Sequence, residues 1–195
     1  MRIRKLLQAA VVFSVLALGG SALAEPAKDF AKKKQDDITA LLNKNASDAD
    51  VNRELAVVID YDGLVKRCFG SHWSDLNDGQ KAEVTSLMRQ LVEKNYQKNL
   101  KKTLKYKTEV KSDKTVGSET RVSIKASDND SHHAPPVNIE YVMRAEGSSW
   151  KVIDIVTEGS SLTNNYYSQI HRMLTNKDQG YSYVVQKLKE KVAKA

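Results

Sequence analysis

Asp154 is the residue in this chain best placed to do chemistry. It interrupts the apolar run Trp150-Lys151-Val152-Ile153-Asp154-Ile155-Val156. A carboxylate in an apolar cleft has its charged form disfavoured, and its pKa moves toward the range of a general acid or base. Tyr141, Tyr166 and Tyr167 are the hydroxyls that would serve beside it. The remainder of a catalytic site is missing. The sequence has no G-x-S-x-G elbow, no H-E-x-x-H pair, no phosphate-cradling glycine loop and no Rossmann glycine pattern. The competing role for Asp154 is structural. A strand carboxylate without partners carries a desolvation cost of several kcal/mol. Asp154 is therefore expected to receive backbone N–H groups at the Gly159 turn or to pair with an arginine. Glu158 is expected at the start of the following helix, where the dipole favours a carboxylate.

The other reactive types are scattered. The four histidines are His72, His132, His133 and His171. His132-His133 precedes Ala134-Pro135-Pro136, a loop signature, and no second cluster accompanies it, so neither a metal site nor a cofactor is expected. His171, beside Arg172, reads as a surface or capping group. Cys68 is the only cysteine, which rules out an internal disulfide. Its neighbours Leu64, Val65 and Phe69 mark it as a small buried hydrophobe, the alternative being a bond between chains. Lys94, Lys98, Lys101, Lys102, Lys105 and Lys107 cluster near Tyr96 and Tyr106. Basic residues interleaved with aromatics are what nucleic-acid binding needs, but an exported chain has little access to nucleic acid. The cluster reads as a solvated helix end, or as a docking patch for an acidic protein or an anionic membrane surface.

Export is read from the first 24 residues. Arg2, Arg4 and Lys5 precede the apolar run Leu6 to Leu18, and Ala22-Leu23-Ala24 gives a small-x-small cleavage pattern. This is the order of a secretory signal peptide, and the run is too short for a spanning helix. Cleavage after Ala24 is expected, leaving residues 25–195 as a single domain. Three of the 31 basic residues fall in the signal, leaving 28 against 24 acids, a net charge of +4.

The elements that must position Asp154 follow from periodicity. Phe30, Lys34, Ile38, Leu41 and Leu42 recur at helical spacing, weakly at first, so the opening turns are expected to be mobile. Val51 to Ile59 makes a short helix, and Tyr61 to Phe69 another, capped by Asp60 and ended by Gly70. Asn77 and Gln80 have capping-box spacing before a long helix to about Lys101, striped by Val84, Leu87, Met88, Leu91, Val92 and Tyr96. The period then changes to two. Leu104 to Val110, Thr120 to Ala126, Val137 to Arg144 and Trp150 to Thr157 read as strands, with turns at Ser112-Asp113-Lys114 and Glu146-Gly147-Ser148. On the last strand Trp150, Val152 and Val156 point one way, and Ile153 and Ile155 the other. Helices around Tyr166 to Leu174 and Tyr181 to Val192 close the chain. Segregated helices and strands mean α+β: a curled antiparallel β-sheet of about four strands packed against N- and C-terminal helices.

From Ile59 onward the sequence resembles the MlaC family of periplasmic phospholipid carriers, also called toluene-tolerance auxiliary proteins. The resemblance is carried by Ile59-Asp60-Tyr61, Gly70, Trp73 and Leu76-Asn77. It is strongest at Trp150-Lys151-Val152-Ile153-Asp154-Ile155, Gly159-Ser160-Ser161 and Asn165-Tyr166-Tyr167, and ends with Gly180-Tyr181 and the basic stretch Lys187 to Lys191. Departures are the His132-His133-Ala134-Pro135-Pro136 loop and Ser160, where a bulkier apolar residue is usual.

The resemblance implies a curved sheet and helices enclosing an apolar cavity loaded with phospholipid as cargo. It also implies a periplasmic location, maintenance of outer-membrane lipid asymmetry and no enzymatic activity. The implied partners are an outer-membrane lipoprotein complex and an inner-membrane ABC transporter with its substrate-binding component. Contact with membranes would be peripheral, and nucleic acid is not a partner. The cavity wall is then expected from Val122, Ile124, Ile139, Tyr141, Met143, Ile153 and Ile155 on the sheet, with Leu87, Leu91, Tyr166 and Ile170 from helices. Trp150, Asp154 and Gly159 form the structural motif at the strand-to-helix joint. Periodicity alone does not separate a lined cavity from a closed core. A pocketless adaptor of a membrane complex, or a small pocket enzyme using Asp154, are the alternatives.

Overall fold

The period-two segments after Thr103 fold as an antiparallel meander. The computed structural model describes residues 25–131 and 134–195, without the side chains at 99–103. The expected signal peptide and His132-His133 lie outside the described residues. Strands β1 (Tyr106–Val116), β2 (Glu119–Asp128), β3 (Val137–Glu146) and β4 (Ser149–Thr157) pair in chain order, and a two-residue β5 (Ser160–Ser161) adds to β4. The sheet is open. The first reversal is not at Ser112-Asp113-Lys114, which lies inside β1. It is at Gly117, where φ is +62°, a left-handed value that glycine adopts without a Cβ penalty. A bulge at Lys111 lets β1 run on: Val110 pairs with Ile124 and Ser112 with Ser123.

Among the described residues six α-helices accompany the sheet: α1 (Ala27–Asn43), α2 (Asp48–Val58), α3 (Tyr61–Phe69), α4 (Asp78–Thr103), α5 (Leu162–Thr175) and α6 (Tyr181–Lys194). Their ends are satisfied locally. Asn77 and Gln80 exchange side-chain to backbone hydrogen bonds at 2.9 and 3.0 Å, a capping box opening α4. Asp60 accepts from the Gly63 N–H at 2.8 Å at the start of α3. Lys151 Nζ donates to the Ala56 and Val57 carbonyls, closing the last turn of α2. Lys94 and Lys98 do the same at the end of α6, donating to the Val192 and Lys194 carbonyls. Half of the basic cluster in α4 is thereby accounted for as helix capping.

The buried side chains form two bodies. The larger lies among the helices and includes Val65, Cys68, Phe69, Val84, Leu87, Ile170 and Val184. The smaller joins α1 to the sheet: Ala27, Phe30 and Ala31 pack on Val122, Ile124, Met143 and Val152. Trp150 Nε1 also donates to the Glu25 carbonyl at 2.7 Å. The opening turn of α1 is thus firmly anchored, contrary to the weak apolar periodicity there. Two alanines let the helix lie close to the sheet, and they contribute little to a hydrophobic pattern. Among the described residues no helix is long and apolar enough to cross a membrane.

Candidate functional site

The helices and the inner face of the sheet do not meet over their whole area. Between them lies a cavity of about 690 Å³, within the roughly 300–1,000 Å³ span of ligand sites. Successive rungs of the sheet form one wall. Ile124, Ile139 and Thr157 share a rung, Tyr141 and Ile155 the next, and Met143 and Val152 the deepest. The opposite wall is Ile38 and Leu42 of α1, Leu55 and Val58 of α2, Met88, Leu91, Val92 and Tyr96 of α4, and Leu162 and Tyr166 of α5. Six of the exposed lining residues, Asp36, Thr39, Asn95, Leu104, Tyr106 and Lys107, gather between α1, the C-terminal end of α4 and β1, which marks the mouth. Gln35 hydrogen-bonds Thr108 across it, tying α1 to the edge strand. Lys34, also on the lining, is held by Glu54 at 2.6 Å, which raises its pKa.

Of the residues expected to line the site, Leu91, Ile124, Ile139, Tyr141, Met143, Ile155 and Tyr166 are on the cavity wall. Leu87, Val122, Ile153 and Ile170 are not. Leu87 and Ile170 are packed in the helical core. Val122 is fully buried in the cluster beneath the first turn of α1. Ile153 is displaced by a bulge. Val142 pairs with Asp154 and Met143 with Val152, so Ile153 is the extra residue, and the alternation of β4 reverses across it. Val152 and Ile155 face the cavity, where strict alternation would put Ile153 and Ile155. The apolar and aromatic helical residues that the sequence reading did not assign to the site are Ala31, Ile38, Leu42, Leu55, Val58, Met88, Val92, Tyr96 and Leu162. Most belong to apolar stripes recognisable at helical spacing, and only tertiary packing distinguishes the cavity side of such a stripe from its core side.

Asp154 faces away from the cavity. It is 2% exposed and accepts hydrogen bonds from the Ile155 N–H (2.8 Å), the Ser161 hydroxyl (2.6 Å) and the Thr163 N–H (3.0 Å). Ser161 Oγ in turn accepts from the Asn164 N–H and caps α5. The carboxylate joins the end of β4 to the start of α5 and has no substrate-facing oxygen. Glu158 does not sit at the helix start. Its φ is +48°, and its carboxylate accepts from the Asn138 N–H on β3.

Burial pushes the Cys68 thiol up to about 12, the charge of Asp154 adding to the effect. The thiol is inert packing in the helical core. His171 Nδ1 lies 2.8 Å from His72 Nε2, and its ring stacks on Tyr167. Among the described residues no three His, Cys, Asp or Glu are grouped to hold a metal ion.

The family described as MlaC protein matches residues 25–190. Among solved structures, a phospholipid-binding protein from Ralstonia solanacearum, described as in complex with a phospholipid, has the same fold. The TM-score is 0.75 and the identity 19%, over 87% of this chain and 98% of that one. No curated protein matches the sequence.

Proposed function

The chain belongs to the MlaC family, and from that premise we propose that it is a soluble periplasmic carrier of phospholipid. Its task is to move lipid between an outer-membrane lipoprotein complex and the substrate-binding component of an inner-membrane ABC transporter, which maintains outer-membrane lipid asymmetry. The observation that carries this reading is the apolar cavity of about 690 Å³ with an exposed rim that includes Asp36, Thr39, Asn95 and Lys107. Burial is worth about 0.8 kcal/mol per methylene, so an acyl chain of roughly 16 carbons carries on the order of 10 kcal/mol. A cavity lined by Ile124, Ile139, Met143, Val152 and Ile155 removes that barrier to crossing water without any bond being made or broken. Asp154, the best acid in the sequence, is spent on the β4–α5 joint, which argues for carriage over catalysis. A pocketless adaptor has no use for unfilled apolar volume, which costs stability in proportion to its size.

The test is to express the full chain with its first 24 residues and purify the exported product without detergent. Native mass spectrometry followed by lipid extraction should find a chain beginning at Glu25 with about one phospholipid bound. A protein that is recovered empty and takes no lipid from phospholipid vesicles sinks the reading.

A further inference from the structure

Among the tyrosines of the cavity wall, Tyr96 and Tyr141 face each other across it with hydroxyls that the fold does not use. Tyr141 stands on β3 between Ile139 and Met143, opposite Ile155 of β4. Tyr96 stands on α4, in the facing wall. Burial raises the pKa of both phenols, and Tyr141 adds to the effect on Tyr96, so the two hydroxyls lie within electrostatic reach of each other. Among the described residues neither hydroxyl makes a hydrogen bond, and both open onto the cavity instead of being sealed in the core. Of the other half-buried phenols, Tyr61 bonds Glu93 and Tyr181 bonds Gln80 and Glu83, while Tyr166 of α5 lies with its ring against Lys191.

An unpaired hydroxyl in apolar surroundings is unfavourable, and a bare hydrocarbon in the cavity would leave both unpaired. A cargo that fits must bring acceptors to their depth. Tyr141 is one rung, roughly 7 Å, below the Ile139–Thr157 rung near the mouth. With a charged headgroup kept at the exposed rim, the groups at that depth are those where acyl chains join glycerol. We propose that Tyr96 and Tyr141 donate hydrogen bonds to the ester carbonyls of a diacyl glycerophospholipid, and so select ester-linked lipid over hydrocarbon of equal length. The inference rests on the carrier reading above and adds to it the part of the lipid that is recognised.

The experiment offers the purified protein vesicles of equal parts dioleoyl phosphatidylcholine and its dialkyl ether twin. The two lipids share headgroup and chains and differ in the carbonyls. Bound lipid is extracted and weighed. A net hydrogen bond is worth roughly 3- to 10-fold in affinity, so the wild type should enrich the ester by about tenfold. Tyr96→Phe/Tyr141→Phe keeps both rings and should bring the ratio to about one, with melting temperature and circular dichroism as checks on folding. Equal uptake of both lipids by the wild type overturns the inference and leaves the carrier reading standing. So does a preference that survives in the double variant, or a folded double variant that loses both lipids alike. A wild type that takes neither lipid overturns the carrier reading and this inference with it.

Discussion

Val152 and Ile155 stand three residues apart on β4 and face the same cavity. The bulge at Ile153 makes this possible and separates two neighbouring isoleucines into different environments. Ile155→Trp should fill empty volume, leave the unfolding midpoint within about 1 kcal/mol of wild type and sharply reduce lipid uptake. Ile153→Trp should overpack a closed site and cost about 1–3 kcal/mol while the cavity stays open. Urea unfolding and lipid extraction on the two variants check the assignment. The reverse pattern would restore strict alternation along β4.

Asp154 concentrates three donors at one carboxylate. Asp154→Asn keeps one acceptor oxygen, turns the other into a donor and removes the charge. Bonds to a charged group are worth about 1.5–3 kcal/mol each, so a loss of about 2–4 kcal/mol is expected. A urea midpoint that falls with an unchanged slope is the signature. If lipid uptake fell with stability intact, Asp154 would have to act on cargo.

Gly70 ends α3 with φ +55°, and a Cβ built there would lie 2.6 Å from the ring of Tyr167. Gly70→Ala therefore combines backbone strain with a clash against α5. It should cost at least about 2 kcal/mol. Tyr167→Ala in the same chain should recover the clash and leave the strain, so the two changes are less than additive in a double-mutant cycle.

Alkaline pH should unfold the protein by a defined route. The Cys68 thiol ionises near 9.0 in an exposed setting and is held up to about 12 by burial. Tyr96 and Tyr141 are likewise raised from 10.0. The unfolded chain releases these protons first, so stability is full below pH 9 and falls as pH rises through the window to about 12. Cys68→Ala should flatten the part of the decline between pH 9 and 10, before tyrosines contribute. Urea midpoints at pH 8, 9 and 10 measure it.

The sequence made the local elements legible wherever one signal dominated. The capping box of Asn77 and Gln80, the Asp60 start and Gly70 end of α3, and the alternation of Thr120 to Ala126 all appear in the fold as read. The cavity was legible only in part, because its boundary is set by what faces a residue and not by its own type. Leu87 and Leu91 share one apolar stripe, yet only Leu91 reaches the cavity. Ile153 was misassigned because a bulge leaves no mark in hydrophobic alternation. The first turn of α1 was undervalued because Ala27 and Ala31 pack by being small. The turn at Gly117 was missed because Ser112-Asp113-Lys114 carries stronger turn residues, which β1 absorbs with its bulge at Lys111.

The hydrogen bond from Trp150 to the Glu25 carbonyl spans 125 positions of the chain. Synthesis delivers α1 first, and the cluster beneath its opening turn is complete only when Met143 of β3 and Val152 of β4 join Val122 and Ile124 of β2. Contacts this distant in sequence slow folding, because a long loop must close before they are rewarded. The floor of the cavity is therefore among the last parts to form. A chain stopped before Trp150 would lack β4, α5 and α6 and so two sides of the enclosed space, and competence to carry cargo should therefore arise late and in a single cooperative step.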